Sequence, residues 1–378
     1  MRVLSVEALG ADFAAAVREE ATGWDRRGAL PAEMARALGA NGLLGADLPR
    51  AHGGLDAGAA ALGELCAHLG GVCSALRGLV TVQGMVSAAL LRWGTPAQRD
   101  RWLPALARGT RIAGFAVTEE GAGTDLAVAT TTISRAGTGF ELTGRKRWVT
   151  FGQVADVFLV SGLVDGEHTT VLVEADRPGV WREPVTGQLG MRAAQLAHLR
   201  FDAVSVPAEN LVAPPGFGLS HVVATALDHG RFTVGWGCVG MAEACLREAT
   251  GHVVNRRQGG VSLAEHQVVR GLLGRAAVDT AAARELCRRA ARLRAAGDPE
   301  AVVGTVAAKY AAARAAAEVA GSAVQVLGAA GCAPESRPGR FFRDAKVMEI
   351  IEGSAQVCEL TVAEDLLRRH GYSTAGAR

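Results

Sequence analysis

Near the end of the chain, RFFRDAKVMEIIEGSAQV (residues 340–357) breaks a helical pattern at Glu352-Gly353 and continues with Ser354 and Gln356. Ile350 and Ile351 precede the carboxylate, and an apolar surround raises the pKa of a glutamate until it can serve as a base. A helix cap or a solvated surface glutamate would look the same. A second segment, FAVTEEGAGTDL (115–126), runs from a strand into Gly121, Gly123 and a Thr-Asp pair. Glycine lets backbone N–H groups approach a ligand closely, and Thr118 and Thr124 add hydroxyls beside them, although an ordinary turn after a strand has this composition too. A third, GRKRWVTFG (144–152), places Trp148 and Thr150 on one face of an expected strand, where an indole and a hydroxyl can flank a flat ring or simply pack. A fourth, NRRQGGVSLAEHQ (255–267), offers Arg256, whose planar fork of donors suits a phosphate and suits a helix end equally well. Neither a strand-GxGxxG-helix nor a GxxxxGK[ST] sequence occurs, so a nucleotide would have to bind by another route.

The elements that must position these residues fall into three blocks. Residues 1–110 are dense in Ala, Leu, Arg and Glu at helical spacing, as in PAEMARALGANGLLG. From 111 to 213, Val, Thr, Ile and Phe alternate with polar residues in short runs, and FAVTEE, GFELTG, DVFLVSGLV and HTTVLVEA are expected strands. After VPAENLVAPPGFG, residues 214–378 are helical again, with Val278, Ala282, Leu286 and Leu293 expected on one buried stripe. Strands confined to one block argue for α+β and against a parallel α/β sheet. The chain has 378 residues, 49% of them hydrophobic, enough for two or three domains. Lys and Arg total 40 against 38 Asp and Glu, which gives a polyanion nothing to bind, and nucleic acid is not expected as a partner. An acidic start and the lack of any stretch near 18 uncharged apolar residues lead us to expect a soluble, cytoplasmic protein without a membrane partner. Seven cysteines without CxxC or Cys/His clustering read as reduced core thiols, with no metal site.

The four segments occur in the order and at about the spacing of the acyl-CoA dehydrogenase family, which the chain resembles from about residue 20 onward. DLPRAHGG (47–54) is similar to the family's first-domain motif, and LRFDAVSVPAENL resembles the exit from its β-domain. The resemblance implies the acyl-CoA dehydrogenase fold, with an N-terminal helical domain, a middle β-barrel domain and a C-terminal four-helix bundle. It implies FAD, with Phe115, Val117, Thr118, Gly123, Thr124, Trp148 and Thr150 along the flavin and Ser354 and Gln356 closing the site. Arg256, Gln258, Gln325 and Gly328 would hold the pyrophosphate and adenine end across an interface, so a homo-oligomer, dimer or tetramer, is implied. Of the family's two base positions, one is Gly230 here and the other is Glu352, which would take the α-proton of a thioester while the β-hydrogen leaves as hydride to the flavin. Three residues depart from the common pattern: Gly259 stands where Phe is usual, Ile351 for Tyr and Ser354 for Thr.

LDHGRFTVGWGCVGMAEACL and RDAKVMEIIEGSAQ are similar to the subgroup that makes hydroxymalonyl or methoxymalonyl extender units for polyketides. That likeness implies oxidation of a three-carbon hydroxylated acyl group on an acyl carrier protein, in which the proton taken by Glu352 need not be the α-proton. LGMRAAQLAHLRF also lacks the Gly-Ser pair common in members that act on CoA substrates. The alternatives are an ordinary short-chain acyl-CoA dehydrogenase serving an electron-transfer flavoprotein and making 2-enoyl-CoA, an oxidase, and a catalytically silent flavin-fold scaffold.

Overall fold

The computed structural model describes residues 5–372. Its first part holds α1 (Val6–Ala16), α2 (Ala21–Arg27), α3 (Met34–Ala40), α4 (Ala59–Gly70), α5 (Ser74–Trp93) and α6 (Pro96–Ala107). The axis of this part is α5, which is buried almost continuously from Ser74 to Leu90. By length and composition α5 and the helical stretch Ala301–Cys332 could each cross a membrane, but α5 is enclosed by protein and is the core helix of its layer. A buried glutamine joins it to the sheet: the Gln83 amide donates to the carbonyls of Leu106 and Arg111, and its Oε1 accepts the Ala113 N–H at 2.6 Å. At the start of α6, Pro96 and a capping box between Thr95 and Gln98 fix the first turn.

Eight strands follow: β1 (Ala113–Ala116), β2 (Thr132–Ala136), β3 (Gly139–Val149), β4 (Val157–Val164), β5 (Glu167–Glu174), β6 (Val180–Pro184), β7 (Ala197–Val206) and β8 (Leu211–Val212). They pair in the order β6-β7-β3-β2-β4-β5-β8, with β1 parallel to β4. The expected middle β-domain is one central sheet, in which, among the described residues, no pairing joins β6 to β8. The expected strand FAVTEE is cut short. β1 stops at Ala116 because Lys146 and Arg147 bond the Val117 and Thr118 carbonyls, drawing the chain away from β4.

The last part contains α7 (Ala224–Asn255), a hairpin of β9 (Arg257–Gln258) and β10 (Val261–Ser262), and then α8 (Gln267–Ala295), α9 (Ala301–Leu327), α10 (Arg337–Met348) and α11 (Ala355–Arg369). Small residues bring these helices close: a methyl at Gly240 of α7 would sit 1.8 Å from the Ala67 carbonyl oxygen of α4. The same effect corrects the stripe expected on α8. Val278 is 68% exposed and Ala282 is exposed, Leu286 and Leu293 are half-buried, and the buried face is Ala276, Thr280, Ala283, Cys287 and Ala290. Close packing selects small side chains there and leaves the larger valine outside. Six of the seven cysteines are buried free thiols, and Cys332 is exposed.

Candidate functional site

Between α10 and α11 the chain makes its bend at two left-handed residues, Glu352 at φ 56° and Gly353 at φ 98°. A glutamate at positive φ is uncommon and persists only where its surroundings fix it. Two cations do so: Arg231 Nε donates to the Glu352 carbonyl at 2.8 Å, and Lys309 Nζ to the Gly353 carbonyl at 2.7 Å. Ser354 Oγ then accepts from the Val357 N–H and caps α11, on which Gln356 is exposed. The half-buried Glu352 side chain faces α7 where that helix has no side chain. A methyl at Gly230 would lie 2.9 Å from Oε2, 3.0 Å from Cδ and 3.0 Å from Met85 Sδ. The two base positions that the resemblance implies therefore face each other in space.

Burial pushes the Glu352 carboxyl above its usual range, and the charges of Arg231, Lys309, Arg77 and His229 offset part of that rise. None of Arg231, Lys309 and Arg77 forms an ion pair with a carboxylate among the described residues. Burial also holds Lys309 below the ordinary ammonium range. From Arg77, 2% exposed on α5, a polar strip runs to α7. Its guanidinium donates to Thr81 Oγ1 and to Met348 Sδ, each at 3.0 Å. Thr81 Oγ1 meets Thr233 Oγ1 at 3.0 Å, and Thr233 donates to the carbonyls of His229 and Gly230. The sequence reading missed Arg77, Thr81, Thr233 and Lys309. Arg77 did leave a signal, a lone charge in the apolar run SALRGLVTVQG.

The second and third segments come together through another pair that sequence reasoning overlooked. Glu119, from the glycine loop, accepts Lys146 Nζ at 2.7 Å, the Thr130 N–H at 2.7 Å and the Thr131 N–H at 3.1 Å. Burial opposes the charge on Glu119, but Lys146 and these donors outweigh it and hold the carboxyl at about 2. Lys146 Nζ also donates to the Val117 carbonyl, and the Arg147 N–H to that of Thr118. Phe115, Val117 and Thr118 are thereby fixed beside β3, with Gly123 and Thr124 exposed at the loop tip. Trp148 and Thr150 do not share a regular strand face: Trp148 lies in a bulge at φ 58°, and β3 ends at Val149. Val149 still points inward, leaving Trp148 55% exposed and Thr150 half-buried on the outer side. The Trp148 N–H donates to His198 Nδ1, and the indole meets that ring edge-on at 5.1 Å. Near it opens a cleft of about 200 Å³ in which Arg145, Arg147, Arg182 and Arg200 outnumber the single acid Glu183.

The remaining predicted residues lie elsewhere. Arg256 and Gln258 are exposed beyond the end of α7, and Gln325 and Gly328 are exposed at the end of α9. These two helices run in the same direction, since Gly235 abuts Lys309 while Leu246 and Ala249 share a groove with Val319 and Val326. At 1.5 Å per residue, the end of α7 is about 37 Å along the helix from Gly230. One chain does not unite this group with Glu352. Gly259, at φ 62°, begins the β9–β10 turn with open space around it.

As a cradle for a flat, polar cofactor the loop and β3 fit: a methyl at Gly121 would meet nothing within 4 Å, the Trp148 indole is free on one side, and Thr118, Thr124 and Thr150 offer neutral hydroxyls. Comparison with known proteins follows the same outline. The models of the acyl-CoA dehydrogenase N-terminal, middle and C-terminal domains match residues 6–110, 114–204 and 218–367. Glutaryl-CoA dehydrogenase of Desulfococcus multivorans is 31% identical over 354 residues, covering 91% of this chain and 90% of that protein. The mitochondrial short-chain specific acyl-CoA dehydrogenase of Homo sapiens is 31% identical over 358 residues, 92% of this chain and 85% of its own. Among solved structures, FkbI for biosynthesis of the methoxymalonyl extender unit of the FK520 polyketide superposes with a TM-score of 0.88 at 38% identity, covering 96% of this chain and 99% of its own.

Proposed function

Since this chain belongs to the acyl-CoA dehydrogenase family of FAD-dependent oxidoreductases acting on acyl thioesters, we propose that it oxidises a three-carbon, hydroxylated acyl group on an acyl carrier protein, with Glu352 as the base. The observation that carries the reading of the base is the Glu352 carboxylate facing Gly230, with both carbonyls of its bend held by Arg231 and Lys309. The likeness to FkbI supports the proposed class of substrate. FAD, when bound, supplies the hydride acceptor. Phe115, Val117, Thr118, Gly123, Thr124, Trp148 and Thr150 would line its ring system, with Ser354 and Gln356 at its edge. Arg256, Gln258, Gln325 and Gly328 of a second copy would hold the pyrophosphate and adenine end.

The chain's own residues would act as follows. Arg231 and Lys309 pin both carbonyls of the bend and so aim the Glu352 carboxylate. Burial raises the basicity of that carboxylate, which favours its taking a proton from carbon or from a hydroxyl. Three cations without carboxylate partners lower the cost of negative charge developing on the bound thioester. The exposed Trp148 and the basic cleft near it suit an acidic redox partner, of which an electron-transfer flavoprotein is one class. The second reading is an ordinary short-chain acyl-CoA dehydrogenase, favoured by the likeness to the human enzyme.

Anaerobic titration of the FAD-loaded protein separates them. Bleaching of the flavin absorbance by a three-carbon hydroxyacyl thioester on carrier protein, and weakly or not at all by butyryl-CoA, is expected. Ready bleaching by butyryl-CoA would overturn the proposal in favour of the second reading.

A further inference from the structure

One step along α7 from Gly230 stands a buried histidine that the proposed chemistry leaves unused. His229 is 4% exposed, and its Nε2 lies 3.0 Å from Asp47 Oδ2, in the segment after α3. Burial disfavours the Asp47 charge, yet His229 holds that carboxyl below its usual range. An ionised Asp47 accepts, so the ring must donate from Nε2. In neutral imidazole this leaves a lone pair on Nδ1, and Nδ1 is buried without a hydrogen-bond partner among the described residues. Leaving such a buried atom unpaired costs stability, and a ligand that pairs with it recovers the loss.

The surroundings fix where that lone pair sits. The ring lies against bare backbone at Gly84, where a methyl would be 2.1 Å from Cε1 and 3.0 Å from Nδ1. Met85, the next residue of α5, faces Gly230, the next residue of α7, across the wall that the Glu352 carboxylate touches. A proton acceptor held by a carboxylate and packed against Gly84, one residue from the glycine that faces the base, calls for a small hydrogen-bond donor, which on an acyl chain is a hydroxyl group.

We propose that His229, oriented by Asp47, determines specificity by accepting a hydrogen bond through Nδ1 from a hydroxyl on the acyl group bound at Glu352. This rests on the reading of Glu352 as the base but not on the identity of the carrier. A site built to pair with a hydroxyl rejects the analogue that lacks it, since the buried acceptor then stays unpaired. Asp47 is a positioning residue, acting through the ring.

The test is calorimetric binding to FAD-loaded Glu352→Gln protein, which does not turn over, of 3-hydroxypropionyl and propionyl thioesters presented on CoA and on carrier protein. The hydroxylated ligand is expected to bind at least about 10-fold tighter on whichever carrier is accepted. His229→Phe, which keeps a ring but no acceptor, should bring the ratio near one while propionyl affinity stays within about 3-fold. Asp47→Asn should lower the ratio without abolishing binding, which guards against His229→Phe failing to fold. Equal affinities in the parent protein, or a ratio unchanged by His229→Phe, would overturn the proposal. Preference between CoA and carrier is read in the same titrations and bears on the proposed function alone.

Discussion

Gly230 decides how much room Glu352 has. With a methyl group 2.9 Å from Oε2, Gly230→Ala must push the carboxylate aside. Misplacement of a catalytic group by about 1 Å costs on the order of 100-fold, so kcat should fall by about 10- to 100-fold while the bound flavin absorbance is unchanged. An unaltered kcat would remove Glu352 from the base role. The pH profile offers an independent check. A base works only when charged, and burial raises Glu352 above the usual 4.5. The rate should therefore climb with pH through a pKa above that value. Lys309→Met removes a cation that favours the charged form, so the same limb should move to higher pH. The bend at Glu352 was legible because an apolar run followed by Glu-Gly is a visible break in a helix, while the role of the carboxylate came only from the family resemblance. Lys309 was not, because one lysine in an alanine-rich helix reads as a solvated face until the fold shows it 1% exposed beneath the bend.

At the level of elements, the glycine loop and β3 are held together by a buried ion pair, Lys146 being fully buried and Glu119 nearly so. Removing one member leaves the other charged and desolvated, so Glu119→Gln and Lys146→Met should each cost about 3–5 kcal/mol in urea unfolding, and the double change less than the sum. A depressed carboxyl contributes stability that is complete above its unfolded pKa and vanishes as pH falls through the folded one. The wild type should thus lose up to about 3 kcal/mol between pH 4.5 and about 2, a loss missing in Glu119→Gln. Alternating Val, Thr and Phe marked most of the strands that carry this latch. What the sequence did not disclose was where β1 ends or that Glu119 turns inward, since TEEGAG has the composition of a solvated turn. On α8 the same limit appears in reverse: alanines and a threonine formed the buried face, and hydrophobicity alone pointed to Val278.

For the whole molecule the decisive fact is separation. Glu352 sits near the start of α7, and Arg256 follows its end about 37 Å away. The order of helical and β blocks could be read directly from composition, but this distance could not, because it depends on α7 being one unbroken helix parallel to α9. In serving FAD, Arg256, Gln258, Gln325 and Gly328 would serve the site of another copy, and each complete site would belong to two chains. Arg256→Ala should then weaken FAD retention, measured as released flavin fluorescence on dilution, without changing the fold. Complementation makes the geometry testable. An Arg256→Ala chain keeps its own Glu352, and an Glu352→Gln chain keeps its own Arg256, so co-assembly creates sites with both groups intact. Each variant alone should be poorly active, the first for want of FAD and the second for want of a base. Their co-expressed mixture should regain a substantial fraction of wild-type activity at limiting FAD. If the mixture shows only the sum of the two parents, Arg256 acts within its own chain or not on FAD, and the shared site is wrong.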